Sequence, residues 1–82
     1  MITMKIPIKG VVVSNDEKEV YEFLGYEAVS PADVNQSLDE ANGEEVEVVV
    51  NSPGGDVYSG SEIYTALNDY RGRVEVKIAG VA

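Results

Sequence analysis

One stretch constrains the fold more than any other: the residues Asn-Ser-Pro-Gly-Gly-Asp-Val at positions 51–57. It follows a run rich in valine, residues 46–50, which is typical of a strand covered on both faces. It precedes Ile63 and Leu67, which recur at helical spacing. The pattern predicts a parallel strand, a tight turn and a helix. Ligands usually bind at this edge of a parallel sheet, and bare glycine N–H groups there can donate to a developing oxyanion.

The remaining chain is predicted to alternate strands and helices. A first strand is expected over residues 5–13, with Pro7 at a sheet edge or bulge and Gly10 at a second irregularity. A short helix is expected over 17–24. A last strand is expected over 74–78, because apolar residues alternate there with charged ones and leave one face wetter.

The second helix carries clear start and stop signals. Ser30 suits the cap position, Pro31 the first helical position, and Asp33 the positive end of the helix dipole. Asn42-Gly43 provides the C-terminal stop. The buried face of this helix is predicted to consist of Val34, Leu38 and Ala41.

These elements predict an α/β fold with about three strands and two to three helices, and residues 1–82 are long enough for one small domain or for part of a larger one. The last three elements should form a right-handed, parallel βαβ unit. Small residues follow the last strand at positions 79–82, and they are typical of the start of another close-packed turn. We therefore expect the chain to be the N-terminal part of a larger domain.

Composition excludes several classes of function. The net charge of −9 disfavours binding to nucleic acid or to an anionic membrane. The chain has no cysteine and no histidine, which excludes a disulfide framework and a Ser-His-Asp triad within these residues. The acidic cluster at 44–47 is interpreted as a solvated face, and neither a metal nor a cofactor is expected. No signal peptide or membrane-spanning stretch is evident, so a cytoplasmic location is expected.

The residues at 51–60, followed by Ile-Tyr-x-x-Leu at 63–67, resemble the ClpP-like serine peptidases. Within that family they are most similar to phage and prophage head maturation proteases. The segment 76–82 also fits, as a strand that leads into a small-residue turn. The resemblance covers roughly residues 5 to 82. It implies a ClpP/crotonase-like fold of ββα-type units, of which this chain would be the N-terminal portion.

The resemblance implies hydrolysis of polypeptide substrates by a serine, a histidine and an aspartate, without a cofactor, in a homo-oligomeric ring. By this resemblance Gly55 would offer its N–H to the oxyanion hole, and Gly54, Gly55 and Val57 would bind the substrate main chain. The nucleophilic serine would lie beyond Ala82. The 82-residue chain alone is therefore predicted to be inactive.

Two other functions remain as alternatives: a non-enzymatic assembly or scaffold module with the same fold, and a crotonase-type acyl-CoA enzyme. A Ser61–Lys77 dyad is disfavoured, because nothing around Lys77 predicts a depressed pKa. Ser52 is predicted to stabilise the turn, and Asp56 to be a helix-start acid. Ser59 and Ser61 are predicted to cap free N–H groups.

Aromatic residues are predicted mainly to pack against the core. On the third helix these residues are Tyr58, Tyr64 and Tyr70, and the alternative, suggested by the ring assembly of the family, is that some of them face another subunit. Near the first helix they are Tyr21, Phe23 and Tyr26, for which an interface patch is the alternative.

An unfinished sheet would expose a strand edge, which also favours oligomerisation.

Overall fold

The computed structural model describes residues 3–80 and has the α/β architecture expected from the sequence. The elements, in chain order, are β1 (Met4–Lys9), β2 (Val11–Val12), α1 (Lys18–Phe23), β3 (Ala28–Val29), α2 (Pro31–Ala41), β4 (Val46–Asn51), α3 (Val57–Asp69) and β5 (Val74–Gly80). The five strands form two parallel sheets, one of three strands and one of two.

The three-stranded sheet places β4 at its centre, between β1 and β5. Ile6, Val48 and Val76 lie opposite one another across its three strands. Pro7 lies on β1, an edge strand, as its missing N–H predicted. The carboxyl ends of β1 and β4 finish together, and the Gly10 N–H donates to the Asn51 carbonyl over 3.2 Å.

The core lies on one face of this sheet, beneath α2 and α3. Its buried apolar residues are Ile6, Ile8, Val29, Val34, Leu38, Ala41, Val46, Val48 and Ile63. The predicted apolar stripe of α2 is therefore confirmed. The opposite face is only partly covered by residues 3–80, since Glu47 and Val49 are half-buried and Pro7 is exposed. The prediction that the valine strand is covered on both faces is wrong for this part of the chain.

Gly10 ends the first strand earlier than predicted. Its φ of 89° turns the chain out of the main sheet, so that residues 11–12 form β2 and pair with β3. The Val11 N–H donates to the Glu27 carbonyl and the Val13 N–H to the Val29 carbonyl, each over 2.9 Å. β3 is not predictable from the sequence, because two residues are too few to show a period.

The predicted start and stop of α2 are confirmed. The Ser30 N–H donates to Asp33 Oδ2 over 2.9 Å, and Asn42 ends the helix in the left-handed region at a φ of 48°. Lys18 Nζ lies 2.6 Å from Asp33 Oδ1 and ties α1 to α2. Burial alone would raise the pKa of Asp33, but the bonds from Lys18 and Ser30 outweigh it and hold the pKa below its ordinary value.

The aromatic side chains near α1 are more exposed than predicted. Phe23 is 87% exposed and Tyr26 is also exposed, so core packing is wrong for both. Tyr21 is half-buried and meets the Tyr26 ring edge-on at 6.0 Å between centroids. These side chains stay outside because α1 contributes no residue to the core.

The aromatic residues of α3 divide in the same way. Tyr58 and Tyr64 are exposed, which contradicts the packing prediction. Tyr70 does pack against the core, and its hydroxyl donates to the Glu44 carbonyl. Tyr70 follows the buried Ile63 by two turns, whereas Tyr58 and Tyr64 project from other sides of the helix.

The last strand is more exposed than predicted. Val76 and Ile78 share the core-facing side of the sheet, yet both are exposed, and within residues 3–80 only Val74 of this side of β5 packs against the core. Of the small-residue turn predicted at 79–82, Ala79 and Gly80 continue β5, and residues 81–82 lie outside the described residues.

Candidate functional site

The turn between β4 and α3 is the candidate site. Gly54 and Gly55 have φ values of 112° and 151°, a region in which side chains other than hydrogen are strained. Both glycines are exposed, as is Val57 at the start of α3. The strand, turn and helix predicted from residues 46–67 are all present.

Ser52 fixes the first half of this turn. Its hydroxyl donates to the Gly10 carbonyl and accepts the Gly54 N–H over 3.0 Å. The prediction that Ser52 stabilises the turn is therefore confirmed. One consequence is that the Gly54 N–H is already used inside the protein.

β2 fixes the second half of the turn through main-chain bonds. The Val12 N–H donates to the Gly54 carbonyl over 3.0 Å, and the Asp56 N–H donates to the Val12 carbonyl over 2.8 Å. Val12 and Gly55 thus form a parallel bridge. In such a bridge the residues on either side of Gly55 bond to Val12, and the N–H and C=O of Gly55 itself point away from β2.

The two glycine amides therefore differ. Among residues 3–80, the Gly54 N–H has Ser52 as its acceptor, whereas the Gly55 N–H has no hydrogen-bond acceptor. Gly55 is also exposed, so its N–H is available to a ligand. Sequence reasoning did not identify Val12, which sets this direction from more than forty residues upstream.

The two glycines are also required for different reasons. A Cβ at Gly55 would overlap the Val12 carbonyl oxygen and lie 2.7 Å from the Val12 nitrogen. A Cβ at Gly54 would meet nothing within 4 Å, so only its backbone conformation favours glycine. Close approach to β2 makes glycine necessary at position 55.

Asp56 begins α3, as predicted. Its carboxylate accepts the Ser59 N–H over 3.1 Å and the Ser59 hydroxyl over 2.6 Å. The hydroxyl bond is the main reason that the pKa of Asp56 lies below its ordinary value. The buried Ser59 hydroxyl is a donor to this carboxylate, so the prediction that it caps N–H groups is wrong.

The largest groove described lies elsewhere. It has a volume of about 480 Å³ between the ends of α2 and α3, where Leu38, Asn42, Tyr70 and Arg71 line it. Its walls include neither Gly54 nor Gly55. The depth of the surface alone would therefore not indicate a binding site at the turn, because the turn is an open edge rather than a pocket.

A comparison with known protein families finds a match over the part of the chain that contains the turn. A family model described as Clp protease matches residues 34–82, which is more than half of the chain. The chain belongs to the Clp protease family. The match begins inside α2 and continues through β4, the glycine turn and α3, and it confirms the predicted ClpP-like resemblance over that range.

Residues 3–33 lie outside the match, and they include β1, β2, α1 and β3. No curated protein matches the chain, and no solved structure matches it. Within residues 3–80, no helix is both long and apolar enough to cross a membrane. Among these same residues, no three histidine, cysteine, aspartate or glutamate side chains cluster as metal ligands.

The alternative Ser61–Lys77 dyad fails on electrostatic grounds. Lys77 Nζ lies 3.3 Å from a Glu47 oxygen and 3.6 Å from a Glu75 oxygen. The bond to Glu47 is the main reason that the pKa of Lys77 is raised. A lysine held in its charged form cannot act as a general base.

Proposed function

We propose that this chain supplies the oxyanion-binding turn of a Clp-type serine endopeptidase, with the Gly55 N–H as donor. The single observation that carries the proposal is the difference between the two glycine amides. Gly54 donates inward to Ser52, whereas the Gly55 N–H points away from β2 and has no acceptor among residues 3–80. Family membership supports the reaction class.

The donor acts when a serine attacks a peptide carbonyl. The carbonyl oxygen then gains negative charge, and a fixed N–H stabilises it without reorganising at that moment. The bonds from Val12 and Ser52 supply this rigidity, because they fix the peptide units on both sides of Gly55. The positive end of the α3 dipole lies just beyond the turn and adds to the same potential.

The substrate would bind as an extended peptide beside the turn. β3, β2 and residues 54–56 already lie side by side through main-chain bonds. A peptide on the far side of Gly55 would extend this small sheet by one strand. Gly55 and Val57 are the proposed main-chain contacts to the substrate. Gly54, whose N–H and C=O are bonded to Ser52 and Val12, supports them by shaping the turn.

The nucleophile and its partners come from outside these residues in this proposal. The 82 residues contain no histidine, so the base of a Ser-His-Asp triad is supplied by other residues of the assembled enzyme. We further propose a homo-oligomeric, cytoplasmic enzyme that cleaves capsid or scaffold precursors during phage head maturation. The similarity of residues 51–67 to that group supports this finer assignment.

A first experiment compares the 82-residue chain with the product of the complete reading frame, using an unstructured peptide and a capsid precursor as substrates. The short chain should show no turnover, and the longer product should cleave. Turnover by the short chain that is lost in Ser61→Ala would refute the assignment. A longer product that is folded but inactive would favour the scaffold module.

A second experiment removes the donor without adding a side chain. Replacing the Gly55 amide with an ester in the active enzyme should lower kcat by about 10²–10³-fold with little change in KM. The matched control is the same replacement at Gly54, whose N–H already bonds to Ser52. Equal losses at the two positions would contradict the assignment of Gly55 as the donor.

A further inference from the structure

The segment around α1 exposes an apolar surface that the peptidase chemistry does not use. Val20, Phe23 and Leu24 recur at helical spacing and share one side of α1. Phe23 is 87% exposed and Leu24 63% exposed, and Val20 and the neighbouring Tyr26 are also exposed. We call Val20, Phe23, Leu24 and Tyr26 the α1 patch.

The α1 patch is not part of the core of residues 3–80. No residue of α1 is buried, and the four patch side chains are all more than half exposed. A Lys18–Asp33 ion pair of 2.6 Å instead holds α1 against α2. The patch lies outside residues 34–82, the range that the family model matches.

The charge around the patch is strongly negative. Residues 16–27 contain five carboxylates and one lysine; the lysine is paired with Asp33, and among the carboxylates Glu27 is paired with Lys9. Glu19 lies one helical turn before Phe23, and it forms no ion pair among residues 3–80. An apolar surface with an acidic border matches an apolar surface with a basic border.

We propose that the α1 patch docks a basic amphipathic segment of another protein, with apolar side chains against Phe23 and Leu24 and lysine or arginine beside Glu19. A second copy of this chain fits less well. Face-to-face copies would bring two acidic borders together, and each chain carries a net charge of −9.

The test uses the whole chain and a synthetic helical peptide with leucines on one side and lysines on the other. Binding is measured by fluorescence anisotropy, and NMR shifts should locate it at residues 19–26. The double variant Phe23→Ala with Leu24→Ala should weaken binding at least about tenfold. Tyr64→Ala, an equally exposed substitution on α3, should leave the affinity unchanged. A peptide with glutamate in place of lysine should not bind.

Two charge reversals separate docking from general attraction to an acidic protein. Glu19→Lys and Glu62→Lys change the net charge equally, but only Glu19 borders the patch. Glu19→Lys should weaken binding about tenfold, and Glu62→Lys should have a much smaller effect. Equal losses would overturn the proposal, and thermal unfolding checks that both variants fold.

Other occupants give different results. Self-association of the wild-type chain that disappears in Phe23→Ala would assign the patch to a second copy. Binding to neutral phosphatidylcholine vesicles that is lost in the same variant would assign it to a membrane. Either result would overturn the proposal, and neither depends on the peptidase activity.

Discussion

The α1 segment and the α2–α3 region use the same apolar residue types in opposite ways. Leu38 on α2 is 7% exposed and lies in the core, whereas Leu24 at the end of α1 is 63% exposed. Both leucines belong to helical patterns of similar spacing. Periodicity therefore shows which side of a helix is apolar, but only packing shows whether the protein itself covers that side.

Truncation of these two leucines should have very different consequences for stability. Leu38→Ala should lower the free energy of unfolding by about 2–5 kcal/mol, because it leaves a cavity in the core. Leu24→Ala, the same chemical change, should alter it by less than about 0.5 kcal/mol. Urea unfolding of both variants measures the difference. Similar losses would mean that Leu24 is covered in solution.

The glycine turn gives the next largest effect. Gly55→Ala should destabilise the protein by about 2–3 kcal/mol, because its Cβ would collide with the Val12 main chain at a strained φ. Gly60→Ala is the control within α3, where a Cβ meets nothing within 4 Å. It should add about 0.5–1 kcal/mol of stability. A harmless Gly55→Ala would show that the turn does not lie against β2.

The smallest effect concerns the contact that joins the two regions. Asp33→Asn should cost about 1 kcal/mol at neutral pH, because it weakens the bonds to Ser30 and Lys18. The folded state lowers the pKa of Asp33, so this stability is present above about pH 4 and is lost as the pH falls through the folded-state pKa.

The difference between wild type and Asp33→Asn should therefore shrink on acidification. Urea unfolding at neutral pH and below about pH 4 tests this expectation. Asp39→Asn, an exposed position on the same helix, is the matched control. A gap that stays constant with pH would contradict the role given to the Asp33 carboxylate.

Local chemistry made part of this structure predictable. α2 begins at Ser30–Asp33 and ends at Asn42 because of short-range bonds, and the residues that form these bonds can be recognised in the sequence by their types and spacing. The strand, glycine turn and helix of residues 46–67 were predicted for the same reason. The difference between Gly54 and Gly55 was not predictable, because it depends on Val12, a partner far along the chain.

The misplaced aromatic residues have a different cause. Phe23, Tyr58 and Tyr64 were expected to pack because large rings are usually covered. Whether a ring is covered depends on how many elements surround it, and α1 has too few neighbours within residues 3–80. β3 was missed because two residues cannot show alternation.

Pro7 has a consequence for the architecture as a whole. The N–H groups of Met4 and Gly10 donate toward β4 and the residues that flank it. Because the main-chain polar groups of successive strand residues point to opposite sides, those of Lys5, Pro7 and Lys9 point away from β4. Pro7 has no N–H group at the middle of this outer edge of β1, and Lys5 and Lys9 place charged side chains on either side of it. Within residues 3–80 the β5 strand contains no proline. We therefore expect that any further strand would pair with β5 rather than with β1.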